Sequence, residues 1–121
     1  MNIIKVVIVS AAAMLMSACG TSPEAEAEAF VQALHSGDAE EAVAHVDPRL
    51  SEAWRPKLLA SVRKTYQKGQ RRGGLSAVEI LKSEINGETA RVTVQQNFED
   101  GSQAHINVKL QEIDGDWFVT F

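Results

Sequence analysis

The stretch Asn86-Gly87-Glu88-Thr89-Ala90-Arg91-Val92-Thr93-Val94-Gln95-Gln96-Asn97-Phe98-Glu99-Asp100-Gly101 decides the fold. Apolar and polar residues alternate through it with a period of two, and a turn dipeptide closes it at each end. Asn-Gly and Asp-Gly tolerate the positive φ angles of tight hairpins, so the run reads as a strand between two antiparallel neighbours. A third such dipeptide, Asp114-Gly115, lies downstream. The segments marked off in this way, 75–85, 88–98, 103–113 and 116–121, are expected to form a four-stranded antiparallel meander.

Alternation then assigns the faces. Ala90, Val92, Val94, Gln96 and Phe98 share one side with Ala104, Ile106, Val108 and Leu110, and with Trp117, Val119 and Phe121. The other side carries Arg91, Thr93, Gln95, Asn97, His105, Asn107, Lys109 and Gln111, which is the composition of a solvated face. Helices must cover the apolar side.

Three helical runs stand upstream to do so. Ser22-Pro23-Glu24 supplies a capping hydroxyl, a proline in the first turn and an acid at the positive end. Ala27, Phe30, Val31 and Leu34 then recur at helical spacing until Ser36-Gly37. Asp38-Ala39-Glu40-Glu41 has the form of a capping box opening a second helix, with Ala42, Val43 and Val46 inward. Asp47-Pro48 opens a third, whose apolar line runs Leu50, Trp54, Leu58, Val62, Tyr66 towards Gly73-Gly74. Pro56 interrupts that line and predicts a kink near Trp54 and Arg55. A cystatin-like sheet crossed by one helix is the alternative, and three capped runs argue against it.

Residues 1–18 read as a signal segment. Lys5 gives a positive start, 6–16 is mostly apolar and too short to span a bilayer, and Ser17 and Ala18 are small. Leu15-Met16-Ser17-Ala18-Cys19 resembles the bacterial lipobox, with Met16 in place of the usual leucine. The resemblance implies cleavage between Ala18 and Cys19 and acylation of Cys19 with fatty (palmitate-type) chains. Two or three such chains make membrane attachment effectively permanent, at about 0.8 kcal/mol per buried methylene. The expected location is the cell envelope. In a Gram-negative source, Gly20 in place of aspartate points to the periplasmic side of the outer membrane.

The expected organisation is therefore signal peptide 1–18, lipidated tether 19–22 and a single domain over 23–121. After cleavage 103 residues remain, with 11 basic against 16 acidic and a formal charge of −5. That balance excludes nucleic-acid binding by bulk electrostatics. Cys19 is the one cysteine, so its acylation excludes disulfides, a cysteine nucleophile and Cys-ligated metal.

Phe30-Val31-Gln32-Ala33-Leu34-His35-Ser36-Gly37-Asp38 near the start and Asp114-Gly115-Asp116-Trp117 near the end resemble a known family. These are the small bacterial lipoproteins of unknown function with a nuclear-transport-factor-2-like domain of the DUF4878 type. The resemblance implies an α+β fold in which three N-terminal helices pack on a curved four-stranded antiparallel sheet wrapped round them as a cone, often with a pocket at the open end. Other members place strand structure among the helices, whereas nothing from Ala39 to Lys57 reads as strand, which argues against a roomy pocket.

Enzymes of that superfamily resemble one another in holding an Asp, His or Tyr inside the cone. Here Gln96 is the one polar residue on the inward strand face, and an amide does not titrate. His105 points outward, and His35 and His45 lack a second ligand at metal spacing. Trp54, Tyr66, Gln96 and Trp117 are the candidate pocket residues, although lone aromatics of this kind are mostly core. The expectation is a non-catalytic binding or scaffolding module with no cofactor and no metal. The alternative is a small-pocket isomerase or hydrolase, which needs a cavity holding titratable groups.

Charge is segregated along the helices. Residues 22–48 contain seven acids and no Lys or Arg, whereas 49–72 contain eight basic residues against Glu52 alone. Lys57, Lys64, Lys68, Arg71 and Arg72 fall on one side of the third helix, a solvated face or a contact for anionic lipid, cell-wall polymer or an envelope protein. The polar sheet face offers a surface for a homodimer, though it lacks the apolar centre of an obligate interface. Growth of cells with a fatty-acid analogue is expected to label the protein, and Cys19→Ser is expected to abolish the label.

Overall fold

The computed structural model describes residues 21–121. The expected signal segment, its cleavage site at Ala18 and Cys19, and the acylated Cys19 itself lie outside the described residues. Three helices precede four strands: α1 (Pro23–Leu34), α2 (Ala39–Val43), α3 (Pro48–Gln70), β1 (Leu75–Asn86), β2 (Thr89–Phe98), β3 (Gln103–Ile113) and β4 (Asp116–Thr120). The strands pair antiparallel in the order β1-β2-β3-β4, the meander that the turn dipeptides predict. Asp114 and Gly115 both take positive φ, 52° and 88°, to close the β3–β4 hairpin.

The helices begin where the capping residues stand. Ser22 Oγ accepts from the Ala25 N–H, Asp38 from Glu40 and Glu41, and Asp47 from Arg49. Each thereby satisfies a donor that the first helical turn leaves unpaired. The capping box at Asp38 is half made, because the Asp38 N–H donates to Ser36 Oγ rather than to Glu41.

Inside α3, Trp54 takes φ −118° and ψ 19°. Pro56 has no N–H to give the Glu52 carbonyl and its ring crowds that turn, so the helix kinks. The kink carries Trp54 off the expected apolar line. It is 47% exposed, with the Lys57 ammonium 5.4 Å from its ring centre.

Two buried clusters make the core. In the first, Ala27 and Val31 of α1 lie on the inner sheet face among Val92, Val94, Leu110 and Trp117. In the second, Ala33 and Leu34 of α1 meet Ala42 and Val43 of α2 and Val62 of α3. Phe30, Leu58 and Ile106 pack against both. Burial of each such Val or Leu contributes about 1.5–3 kcal/mol. Phe121, expected inside, lies beyond β4 and is exposed.

Helix α3 packs on α2 and α1 rather than along the strands, and its two ends are tied to the sheet. At the start, Val46 forms a parallel bridge with Val119, in which the Asp47 N–H donates to the Val119 carbonyl at 2.9 Å and the Val119 N–H to the His45 carbonyl at 2.8 Å. This corrects the expectation of no strand pairing between Ala39 and Lys57. A single bridge has too few residues to show as a period-two pattern. At the far end, Gly73 and Gly74, both at φ 90°, turn the chain so that Glu99 donates to the Gly74 carbonyl and Asp100 to the Arg72 carbonyl.

One ion pair fastens α1 to the α2–α3 linker. His45 Nδ1 lies 2.5 Å from Glu26 Oε2, and its ring meets Phe30 edge to face at 6.5 Å. The Glu26 hydrogen bond holds the imidazole above its ordinary 6.5, against the opposing effect of burial and with help from the Glu26 and Glu41 charges. A raised folded-state value stabilises fully below the unfolded value and is lost as pH rises through the folded one. Urea denaturation is therefore expected to show stability falling as pH is raised above 6.5, with a flatter profile in Glu26→Gln.

Candidate functional site

A cleft follows from the way α3 is held. Leu58, Ser61, Val62, Thr65, Lys68 and Gly69 form one stripe of α3 at steps of three and four, which Arg72 continues in the turn just beyond the helix. They face two adjoining spaces between the helix and the sheet. The inner space, about 220 Å³, is apolar and lined by Phe30, Leu58, Val62, Ile106, Val119 and Phe121 among others. The second, about 140 Å³, is lined by His35, Lys68, Gly69, Arg72, Gln96, Phe98 and Ala104. Thr65 borders both.

The polar chemistry of the second space is ordered by one buried amide. Gln96 is 7% exposed, and its Oε1 lies 2.7 Å from His35 Nε2. An amide oxygen only accepts, so the ring Nε2 donates and the Gln96 amino group is left for the cleft. His35 stands edge to face with Phe98 at 5.5 Å, and the Arg72 guanidinium lies 4.9 Å from the centre of the same ring. His35 Nδ1 is buried with no hydrogen-bond partner among the described residues, because that edge of the ring lies against Gly69.

The sequence-derived candidates separate here. Gln96 lines the cleft. Trp117 is buried in the sheet core, and Trp54 stands exposed at the kink. Tyr66 packs on Gly37 on the other side of α3, where it borders a space of only about 20 Å³. The basic stripe also divides. Lys57, Lys64, Lys68 and Arg71 are all exposed, and of the five Lys68 and the half-buried Arg72 border the cleft. Sequence reasoning passed over His35, Phe98 and Gly69 as site residues. The available signal was Gly69 itself, since a glycine inside a helical run costs about 1 kcal/mol and marks a close approach. A wider depression of about 740 Å³ on the outer sheet face, bordered by exposed Glu84, Arg91 and Lys109, is open to solvent and mixed in charge.

With the helices, the four-stranded antiparallel sheet and the cleft in place, the class of protein is that of the nuclear-transport-factor-2-like (NTF2-like) domains. Similarity to solved structures agrees. A Campylobacter jejuni protein described as a candidate NTF2-like transpeptidase superposes with a TM-score of 0.76 at 28% identity, over 84% of this chain and 99% of its own. A de novo designed NTF2-fold protein, NT-9, superposes with a TM-score of 0.50 at 15% identity, over 84% of this chain and 86% of its own. No curated protein matches the chain. The domain of unknown function DUF4878 matches residues 17–120, and the chain belongs to that family.

A Cβ added at Gly69 would lie 2.5 Å from His35 Nδ1 and 2.7 Å from its Cε1. At an exposed helical site Gly→Ala gains about 1 kcal/mol. Here the methyl must displace a ring held by Gln96 and Phe98, and overpacking costs about 1–3 kcal/mol. Gly69→Ala is therefore expected to lower stability by about 1 kcal/mol in urea denaturation, and in a His35→Ala background the same change is expected to raise it.

Proposed function

We propose that the protein is a lipid-anchored, non-catalytic binding module of the cell envelope whose ligand enters the cleft between α3 and the sheet. The observation that carries this reading is the lining of the cleft. Apolar side chains at one end and hydrogen-bond donors at the other are suited to holding a molecule, and among the described residues no Asp or Glu side chain borders either space. Only Gly20, Thr21 and Ser22 separate Cys19 from α1, so acylation of Cys19 would hold this cleft close to a membrane surface.

The description of the Campylobacter relative suggests acyl transfer, the enzyme-class alternative. That chemistry needs a nucleophile with a base in hydrogen-bond reach. Ser61 and Thr65 are the hydroxyls of the inner space, and neither bonds to a histidine, lysine or carboxylate among the described residues. The His35 Nε2 proton is committed to Gln96. These features favour binding over turnover.

A relative's chain of this extent, 99% of which corresponds to 84% of this one, is folded in its crystal structure, so residues 21–121 are the unit to test. A neutral solvatochromic dye is expected to bind this domain at one site with blue-shifted emission. Ile106→Trp, which fills the inner space, is expected to weaken binding about tenfold or more. A dye that ignores the wild-type domain, or binds Ile106→Trp equally well, would remove the cleft as the binding site.

A further inference from the structure

The cleft is graded along its length, and the gradient defines a ligand. At its inner end Leu58, Val62, Ile106 and Val119 present hydrocarbon. Further along the same stripe and in the turn beyond it, Thr65, Lys68 and Arg72 present a hydroxyl and two cations, and Gln96 adds an amino group from the sheet. From these observations we infer that the cleft binds a small amphiphile with a single anionic head, carboxylate or phosphate, and one short hydrocarbon body. This identification of the ligand class rests on the binding-module reading above.

Three features place the head. The Gln96 amide is fixed in direction, because its oxygen is taken by the His35 Nε2–H at 2.7 Å, so its donors face the space that Arg72 and Lys68 border. Arg72 is held over Phe98 and by long hydrogen bonds from Nη1 to Ser102 Oγ and the Gln103 carbonyl at 3.4 and 3.5 Å, which orient its guanidinium and leave Nη2 and Nε without a partner among the described residues. Asp100, whose charge interacts with Arg72, accepts from both the N–H and the hydroxyl of Ser102 at 2.8 and 2.5 Å and stands outside the lining of the head space. The head space thus offers donors and positive charge with no carboxylate in its lining. A charge-assisted hydrogen bond to an anion is roughly twice as strong as a neutral one.

Size sets the body. Spaces of about 220 and 140 Å³ together stand at the small end of ligand pockets, which run from about 300 to 1,000 Å³. A two-chain phospholipid is too large, and a single medium-length chain fits. The exposed Phe121 at the border of the inner space is positioned to cover such a chain.

The test compares three probes of equal chain length, decanoate, decyl phosphate and decanol. Each is titrated into residues 21–121 below its aggregation concentration and followed by calorimetry and by NMR shifts of Gln96 and Ile106. One or both anions are expected to bind about tenfold tighter than the alcohol, and the tighter of the two identifies the head as carboxylate or phosphate. Lys68→Gln combined with Arg72→Gln is expected to bring the anions down to the level of the alcohol. Equal binding of all three probes by the wild-type domain would overturn the assignment of the head and leave the binding-module reading standing. Binding of none of them, together with no binding of the neutral dye, would overturn both.

Discussion

The rest of the structure depends on the tethering of α3 at both ends. Twenty-three residues of helix span about 34 Å at 1.5 Å per residue, and the backbone bonds that tie this span to the sheet sit at Asp47–Val119 and at Arg72 and Gly74 with Asp100 and Glu99. Between those points the helix packs on α2 and α1, and the space facing the strands is left to side chains. Short residues such as Ser61, Thr65 and Gly69 do not fill it. A helix tied at one end could settle onto Ile106 and Val119 and close the cleft, whereas one held at both ends is kept at a fixed distance.

That constraint turns a one-dimensional gradient of residue type into a three-dimensional one. Leu58 and Val62 stand over the apolar part of the sheet, and Lys68 and Arg72 stand over Gln96 and Phe98. Gln96 interrupts an otherwise apolar inner face, and a buried amide is costly unless its partners are present. His35 is the partner, and Gly69 supplies the room for its ring. The histidine, the amide and the glycine lie far apart in sequence and act as one unit, since removal of His35 or Gln96 leaves the other without its hydrogen bond and a side chain at position 69 would crowd the ring that joins them.

Much of the fold was legible because its signals are local. Alternation over 88–98, the three turn dipeptides and the capping residues Ser22, Asp38 and Asp47 each act within a few residues of where they stand, and the strands and helix starts fall within a residue or two of the expected places. The kink at Trp54 follows equally from the missing N–H of Pro56. The Val46–Val119 bridge escaped detection because it joins single residues remote in the chain, whereas the half-made capping box at Asp38 is a local miss, in which Ser36 competes for the same N–H. The candidate site was legible at Gln96, visible as a polar residue in an apolar register, and at Lys68 and Arg72, visible as part of the basic stripe. Trp54 and Tyr66 looked suitable for a pocket by residue type, but the kink rotated one outward and helix phase set the other against Gly37.

The sequence by itself determined the order and type of the elements, which face of the sheet is apolar, and the segregation of acidic from basic helices, because periodicity, turn chemistry and capping are properties of neighbouring residues. Tertiary structure alone decided that Lys68 and Arg72, of all the basic stripe, border a cleft, that His35 meets Gln96, and that Gly69 admits the ring. Those facts depend on the distance between α3 and the sheet, which is fixed by a few backbone bonds between residues remote in the chain.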